Sequence, residues 1–293
     1  MQNHLSKKST ILWGGESQSH SQIQINADDL IIGGGYPGLG DNLFFSHLPR
    51  IAKESKKYNK VYIYNAIPER NLGSMQLIWG DNPFVDGFTN LFGRAPYTLS
   101  LPLDLRNMNL LDFVMLGYGL DDGTRFHEPE IYYKPTFRAE YHKVIFDPNW
   151  FSCVGNINAL DIETYFKTNN IAIDAVLKKR NDKALHDYNK DTEVIDTPTL
   201  YDFCDLIYSA KALYCLTTGT ASLAAALRKP CVVLYGEGIG GGRELAQLKD
   251  NVGSLYHHSN LHKYILIKSN PHSKPITKFR HKIKSHFRKI FAL

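Results

Sequence analysis

The feature that most restricts the fold of this chain is a short strand followed by a glycine-rich loop, a helix and a second strand. Residues 29–32 are the first strand candidate, and they run into the segment GGGYPGLGDN. Apolar residues of the segment 43–57 recur near helical spacing, and KVYIY at residues 60–64 is a second apolar strand candidate. This order is typical of a parallel sheet with helical crossovers.

The second half of the chain repeats this alternation. A strand at residues 143–146 is broken by Asp147-Pro148-Asn149, and we place a domain boundary near there. The other predicted strands are 76–79, 85–89, 171–176, 193–195, 212–216 and 231–235, and the other predicted helices are 109–117, 158–168, 199–209 and 220–227. Two α/β halves in tandem indicate two Rossmann-like domains with a cleft between them. The predicted division is a polar extension (1–27), two domains (28–142 and 143–267) and a basic tail (268–293).

The composition is that of a globular protein, because 43% of the 293 residues are hydrophobic and 22% are charged. No segment approaches the roughly 18 apolar residues of a membrane span, and no secretory signal is visible, so a cytoplasmic protein is expected. The cysteines form no C-x-x-C pair, and buried free thiols are expected rather than disulfides or a metal site. They are Cys153, Cys204, Cys215 and Cys231.

The net charge of +5 is unevenly distributed along the chain. Eight of the 34 basic residues lie in the tail 268–293, which has no acidic residue, and the remaining 26 are matched by 29 acidic ones, a balance of −3. Apolar residues of the tail recur at spacings of three and four: Ile276, Phe279, Ile283, Phe287, Ile290 and Phe291. The pattern predicts an amphipathic basic helix at 276–291, a form that binds anionic membrane surfaces. The alternative is a basic helix that is solvated or docked on the acidic body of the protein. Nucleic-acid binding by the tail is not favoured, because no nucleic-acid-binding fold accompanies the tail.

Asp41 stands at the end of the first glycine-rich loop, where a helix should begin. In an open parallel sheet, ligands bind beyond the carboxyl ends of the strands. Glycines such as Gly38 and Gly40 let the backbone approach a ligand closely. Asp41 is therefore either the N-cap of the helix or a general base that faces the cleft. The loop contains no clean G-x-G-x-x-G fingerprint with an acid about 20 residues further on, which argues against a dinucleotide.

A second loop, within AKALYCLTTGTASLAAALRKPCVVLYGEG at residues 210–238, lies between a strand and a helix of small residues. Hydroxyls and free backbone N–H groups at a helix N-terminus make a cradle for a diphosphate. The threonines could instead only cap the helix, and the two roles are compatible. The candidate residues of this loop are Thr217, Thr218, Gly219, Thr220 and Ser222. Glu237 and the segment 240–243, after the next strand, either contact the ligand or only form a loop.

Three segments together resemble glycosyltransferase family 9, the heptosyltransferase-like enzymes. GLGD with the apolar helix after it is similar to the N-terminal motif of the family, and DLIYSAKALYCLTTGTASLAAALRKPCVVLYG is similar to its donor-site segment. LLDFVMLGYGLDDGTRFHEPEIYY resembles the helix, turn and strand that precede the interdomain linker. The resemblance extends over residues 29–240 and implies a GT-B fold, in which two Rossmann-like domains have parallel sheets facing a central cleft.

The resemblance also implies roles for individual residues. Asp41 falls on the catalytic base of the family, which deprotonates an acceptor hydroxyl, and Thr218 and Gly219 fall on the Thr-Gly that binds donor phosphate. Thr217 stands where the family has Asp, and Ser222 stands where it often has His, so donor recognition is expected to differ. An inverting transfer with no bound metal or cofactor is implied, with the acceptor on the first domain and a nucleotide sugar on the second.

The expected partners are a nucleotide sugar and a lipid-linked or oligosaccharide acceptor of a surface glycan, such as lipopolysaccharide, lipooligosaccharide or capsule. A peripheral location on the inner face of the cytoplasmic membrane would suit such an acceptor. Two other functions stay open: a non-catalytic scaffold subunit of a glycan assembly complex, and a nucleotide-sugar epimerase. The adjacent acids Asp28-Asp29 and Asp121-Asp122 are expected to cap loops rather than to bind a metal.

Overall fold

A computed structural model of the chain describes residues 25–33, 38–66, 69, 71–91, 108–150, 154–179, 192–237 and 256–268. The predicted tail helix, Cys153 and the segment 240–243 lie outside these residues. The described strands belong to two parallel sheets, so the predicted α/β class is confirmed. The three described cysteines, Cys204, Cys215 and Cys231, are buried free thiols, as expected.

The first sheet has the strand order β1-β2-β3 and is formed by β1 (Leu30–Ile32), β2 (Val61–Tyr64) and β3 (Gly87–Thr89). Its helices are α1 (Leu39–Leu43), α2 (Leu48–Glu54) and α3 (Leu110–Gly117). The side chain of Asn109 accepts a hydrogen bond from the backbone of Asp112, and the carboxylate of Asp112 accepts one from the backbone of Asn109. This capping box fixes the start of α3.

The second sheet has six parallel strands in the order β6-β5-β4-β7-β8-β9. The strands are β4 (Val144–Asp147), β5 (Ala175–Leu177), β6 (Glu193–Ile195), β7 (Ala212–Leu216), β8 (Val232–Gly236) and β9 (Lys263–Ile267). The helices are α4 (Ala159–Thr168), α5 (Leu200–Ser209) and α6 (Gly219–Ala226). The strand order reverses between β4 and β7. The crevice beyond the carboxyl ends of these two strands is therefore the place where an open α/β sheet binds ligands.

One apolar core connects the two sheets. The same cluster of buried side chains contains Ile32 of β1, Leu43 of α1, Ala221 of α6 and Leu213 of β7. A second, smaller cluster lies between α4 and the opposite face of the second sheet, around Phe146 and Phe166. Since the first cluster is continuous, burial of apolar surface holds the two halves against one another.

The segment that joins the sheets is fastened to α5 by one buried carboxylate. Asp205 accepts hydrogen bonds from the hydroxyl of Tyr133 at 2.9 Å, from the backbone of Thr136 at 2.8 Å and from Nε of Arg138 at 3.0 Å. Asp205 is 2% exposed, and its partners satisfy a charge that would otherwise be costly to bury.

Several predicted elements differ from those observed. The helix predicted at 43–57 is shorter: α2 spans Leu48–Glu54 with Pro49 in its first turn, and a separate helix, α1, ends at Leu43. The strand predicted at 76–79 is wrong, since Gln76–Gly80 forms a π-helix. Three consecutive apolar side chains of this segment are buried, and such a short run cannot distinguish a strand from a buried helix. The strand predicted at 171–176 is shorter and begins at Ala175, and β9 was not predicted.

Two buried histidines have strongly lowered pKa values. Burial and the neighbouring His127 lower the pKa of His47 to about 3. Burial and the neighbouring His262 and His257 lower the pKa of His258 to the same value. His258 lies against the ring of Phe44, with centroids 5.2 Å apart. Both histidines are therefore neutral in the folded chain near pH 5, where an unfolded histidine is charged.

These histidines predict an acid-dependent loss of stability. Between pH 6.5 and about 3 the unfolded chain binds more protons than the folded chain at each site, so the free energy of unfolding falls as the pH falls. Each site contributes a slope of up to about 1.4 kcal/mol per pH unit. In His258→Leu we expect the free energy of unfolding, measured with urea at several pH values between 6.5 and 5, to depend less steeply on pH. The slope should be smaller than that of the wild type by about that amount. A slope equal to that of the wild type would contradict burial of the neutral ring.

Candidate functional site

The two loops singled out in the sequence meet at a contact between two glycines. A Cβ atom built on Gly40 of α1 would lie 3.2 Å from the Cα of Gly219, and one built on Gly219 would lie 3.1 Å from the backbone nitrogen of Gly40. A side chain at either position would therefore require the facing backbone to move by a few tenths of an ångström. The contact brings the start of α1, which follows β1, beside the start of α6, which follows β7. Both loops thus lie at the carboxyl ends of their sheets.

Asp41 lies in the first turn of α1 and is half-buried. The N-cap position is occupied by Gly38, whose backbone is extended, so Asp41 is not the N-cap. Gly40, which precedes Asp41 in the chain, makes the close contact with Gly219 of α6. The backbone of Leu39 donates a hydrogen bond to the side chain of Asn71 at 3.2 Å, which fastens the start of α1 to the segment before the π-helix. Asp41 is therefore placed by its helix at the junction of the two loops.

Thr218 is the N-cap of α6. Its Oγ1 accepts a hydrogen bond from the backbone nitrogen of Thr220 at 3.3 Å, as a capping threonine does. Thr218 is half-buried, whereas Thr217 before it and Thr220 after it are buried. The capping role expected for this loop is thus observed, and it leaves N–H groups of the first turn at the crevice.

Small side chains let α6 pack closely on its neighbours. Ala221, Ala224 and Ala225 have no exposed surface. Ser222 is buried one turn into the helix, and its hydroxyl makes no hydrogen bond to a residue within the described ranges. A histidine at this position, as the resemblance leads one to expect, would need considerably more volume.

Asp147, which the sequence analysis treated only as part of a strand break, is the buried acid of this crevice. It ends β4, is 1% exposed and accepts a hydrogen bond at Oδ2 from the hydroxyl of Thr220 at 2.5 Å. Its Oδ1 accepts two hydrogen bonds from Asn149, from the backbone at 3.0 Å and from the side chain at 2.8 Å. The sequence did contain a signal for Asp147, namely its position directly after a buried strand. Ligand sites of parallel sheets are expected at the carboxyl ends of such strands.

Glu237 lies beyond the end of β8, at one side of this crevice. Its backbone carbonyl accepts a hydrogen bond from the backbone of Asn156 at 2.7 Å, and Gly236 donates one to the carbonyl of Val154 at 2.8 Å. These bonds form a short antiparallel bridge between β8 and the loop after β4. The side chain of Glu237 is exposed, so it lies at the rim rather than in the buried part of the crevice.

The adjacent acids Asp121 and Asp122 have the structural role predicted for them. Asp121 accepts a hydrogen bond from the backbone of Gly123 and Asp122 accepts one from the backbone of Thr124, so both cap a turn. Within the described ranges, no group of three or more His, Cys, Asp or Glu side chains could hold a metal ion. In the same ranges, no helix is both long and apolar enough to cross a membrane.

The fold has counterparts among solved glycosyltransferase structures. A glycosyltransferase family 9 protein from Veillonella parvula DSM 2008 is 10% identical, with a TM-score of 0.51 over 83% of this chain and 86% of that chain. The dodecameric iron-containing heptosyltransferase TibC, solved with ADP-D-beta-D-heptose, is 12% identical, with a TM-score of 0.50 over 94% of this chain and 73% of that chain. No protein-family model and no curated protein matches the sequence. At these identities the likeness shows the fold, and it confirms the predicted GT-B arrangement.

The glycine contact predicts that a side chain at Gly219 separates the two loops. We expect Gly219→Val to lower the free energy of unfolding by about 1–3 kcal/mol, as overpacking of a close contact does. Ala226→Val, at the other end of α6 and only half-buried, is the matched control for a β-branched residue in this helix. Chemical denaturation of both variants measures the difference. Equal losses in the two variants would show that the glycine contact does not limit the approach of α1 to α6.

Proposed function

We propose that this protein is an inverting glycosyltransferase that moves a sugar from a nucleotide-sugar donor to a hydroxyl of a surface-glycan acceptor. The observation that supports the proposal is the Gly40–Gly219 contact, because it brings the helix that carries Asp41 beside the N-terminus of α6. The fold shared with glycosyltransferases supports it. A transfer reaction needs both groups, because one activates the acceptor and the other stabilises the leaving diphosphate.

The donor phosphates are assigned to the start of α6. Its first-turn N–H groups and the positive end of its dipole favour an anion. Thr218 accepts a hydrogen bond from Thr220, which leaves its own O–H able to donate to a phosphate oxygen. We assign Thr217, Gly219 and Ser222 to the walls of this site. TibC was solved with ADP-D-beta-D-heptose, which supports a nucleotide sugar as the class of donor.

Asp41 is assigned the role of general base. It would remove the proton of the acceptor hydroxyl as that oxygen attacks the anomeric carbon from the face opposite the diphosphate. A bond forms between the acceptor oxygen and the anomeric carbon, the bond from that carbon to the diphosphate oxygen breaks, and the diphosphate leaves with the electron pair. The proposal uses the α6 N-terminus, and no metal, to stabilise the leaving group.

The acceptor is proposed to be lipid-linked, with the basic tail holding the enzyme at the inner face of the cytoplasmic membrane. The support is the charge pattern of residues 276–291, which is a property of the sequence. Lipopolysaccharide, lipooligosaccharide and capsule precursors are the acceptor classes that fit such a location.

Asp41→Asn tests the catalytic assignment. We expect it to lower the turnover number by at least about 10²-fold, because the amide cannot accept the proton, while the dissociation constant for the donor diphosphate changes little. Asp28→Asn, an exposed acid before β1 and so at the opposite end of the first sheet, is the control. The assay follows sugar transfer from a panel of nucleotide sugars to lipooligosaccharide.

The outcomes of this assay separate the rival functions. Unchanged transfer by Asp41→Asn would exclude Asp41 as the base. Binding of nucleotide sugars without transfer to any acceptor would favour the scaffold, and isomerisation of a free nucleotide sugar without acceptor would favour an epimerase.

Removal of residues 276–291 tests the membrane assignment. We expect the variant to lose most of its binding to vesicles that contain an anionic lipid, because each basic residue near such a surface contributes about 1 kcal/mol. Neutral phosphatidylcholine vesicles serve as the control, and sedimentation with vesicles is the measurement. Equal binding by the variant and the complete chain would contradict the assignment.

A further inference from the structure

We infer that Asp147 is a positioning residue for the donor: through the hydroxyl of Thr220, its carboxylate holds the first turn of α6 in the orientation that binds a nucleoside diphosphate. The inference rests on the proposed function and extends it, because it adds a residue outside the two predicted loops. It also gives Thr220 a different role from the direct donor contact that the sequence suggested.

Asp147 lies at the point of the fold where the order of the second sheet reverses. It is the last residue of β4, and β4 and β7 are the two strands between which the order of the sheet reverses. In the pairing of these strands, Asp147 lies opposite Cys215, two residues before Thr217. The carboxylate therefore lies directly beneath the loop that begins α6, at the point where an open α/β sheet binds ligands.

Hydrogen bonds from Thr220 and Asn149 compensate the burial of Asp147. Three short bonds reach its two oxygens, one from the hydroxyl of Thr220 and two from Asn149. All three donors are neutral groups, and the carboxylate is 1% exposed. Burying a carboxylate is costly unless hydrogen bonds and favourable dipoles compensate the charge. The first turn of α6 supplies both, since it carries Thr220 and the positive end of the helix dipole.

A continuous chain of hydrogen bonds leads from this carboxylate to the donor loop. Thr220 donates its only hydroxyl proton to Asp147, and its backbone nitrogen donates to Oγ1 of Thr218. Since Oγ1 of Thr218 acts as an acceptor in this bond, its own O–H can still donate a hydrogen bond to another group. Asp147 thus fixes Thr220, Thr220 fixes Thr218, and Thr218 is the half-buried hydroxyl that can face a phosphate.

The test compares Asp147→Asn, Thr220→Val, the double variant and Thr220→Ser. Isothermal titration measures the dissociation constant for ADP, UDP, GDP and CDP, and thermal unfolding is measured on the same samples. We expect each single variant to weaken binding of the diphosphate that the wild type prefers by about 10-fold, the cost of one hydrogen bond to a charged group. The double variant should weaken binding by about the same 10-fold, since both changes break one chain. Thr220→Ser, which keeps the hydroxyl, should bind within about 3-fold of the wild type.

Asp205→Asn is the matched control, because Asp205 is also a buried carboxylate of the second domain and accepts hydrogen bonds from the interdomain segment instead. We expect it to lower the melting temperature without changing the dissociation constant. That result would separate positioning from general loss of stability.

Other results would overturn the inference. Unchanged or tighter diphosphate binding by Asp147→Asn, as expected if the carboxylate only repels the phosphates, would exclude the positioning role and leave the proposed donor site intact. If Asp147→Asn does not fold, the two Thr220 variants give the test. Equal dissociation constants for Thr220→Val and Thr220→Ser would then exclude the positioning role of Asp147. Failure of the wild type to bind any of the four diphosphates would overturn the proposed donor site, and this inference with it.

Discussion

The approach of two backbones at Gly40 and Gly219 is the constraint on which the rest of the site depends. Each glycine lies near the start of a helix, and each helix follows a strand of a different sheet. A Cβ at either position would make an unusually close contact with the opposite backbone, so glycine suits both positions. The contact brings the helix that carries Asp41 beside the helix that Thr218 caps, although 177 residues lie between Gly40 and Thr218 in the chain. The continuous apolar core around Leu43 and Ala221 then keeps the helices together.

The buried polar groups of the site form a supporting layer beneath this junction. The resemblance to family 9 glycosyltransferases led to an expected acid at position 217, where the chain has a threonine. A buried acid is instead hydrogen-bonded to the first turn of α6: Asp147, which comes from β4 and accepts a bond from Thr220. The negative charge is therefore located below the helix N-terminus rather than in the loop. A helix start with its first turn held from below can present N–H groups to an anion without rearrangement.

Sequence patterns predicted correctly those helices and strands whose ends are marked by capping or helix-breaking residues. The strand β7 was predicted at its observed bounds, and α6 and β8 each differ by one residue, because a threonine cap and Lys229-Pro230 mark where the helix begins and ends. The segment 76–79 was predicted wrongly, because a run of only three apolar residues has no period that excludes a helix. The bond from Thr220 to Asp147 spans 73 positions in the chain, and no local pattern contains such a contact. The contact between Gly40 and Gly219 could not be predicted from a local pattern either. Each glycine was identified in the sequence, but their proximity results from the packing of α1 on α6.

Hydrogen–deuterium exchange, followed by mass spectrometry with and without each of ADP, UDP, GDP and CDP, would test the central claim most directly. A ligand at the junction of the two loops hydrogen-bonds to backbone N–H groups and slows their exchange. The account predicts that one diphosphate protects the start of α6, residues 217–222, together with residues 38–43 of the first loop. Protection confined to another part of the chain, or none with any of the four at saturating concentration, would contradict a donor site at the Gly40–Gly219 junction.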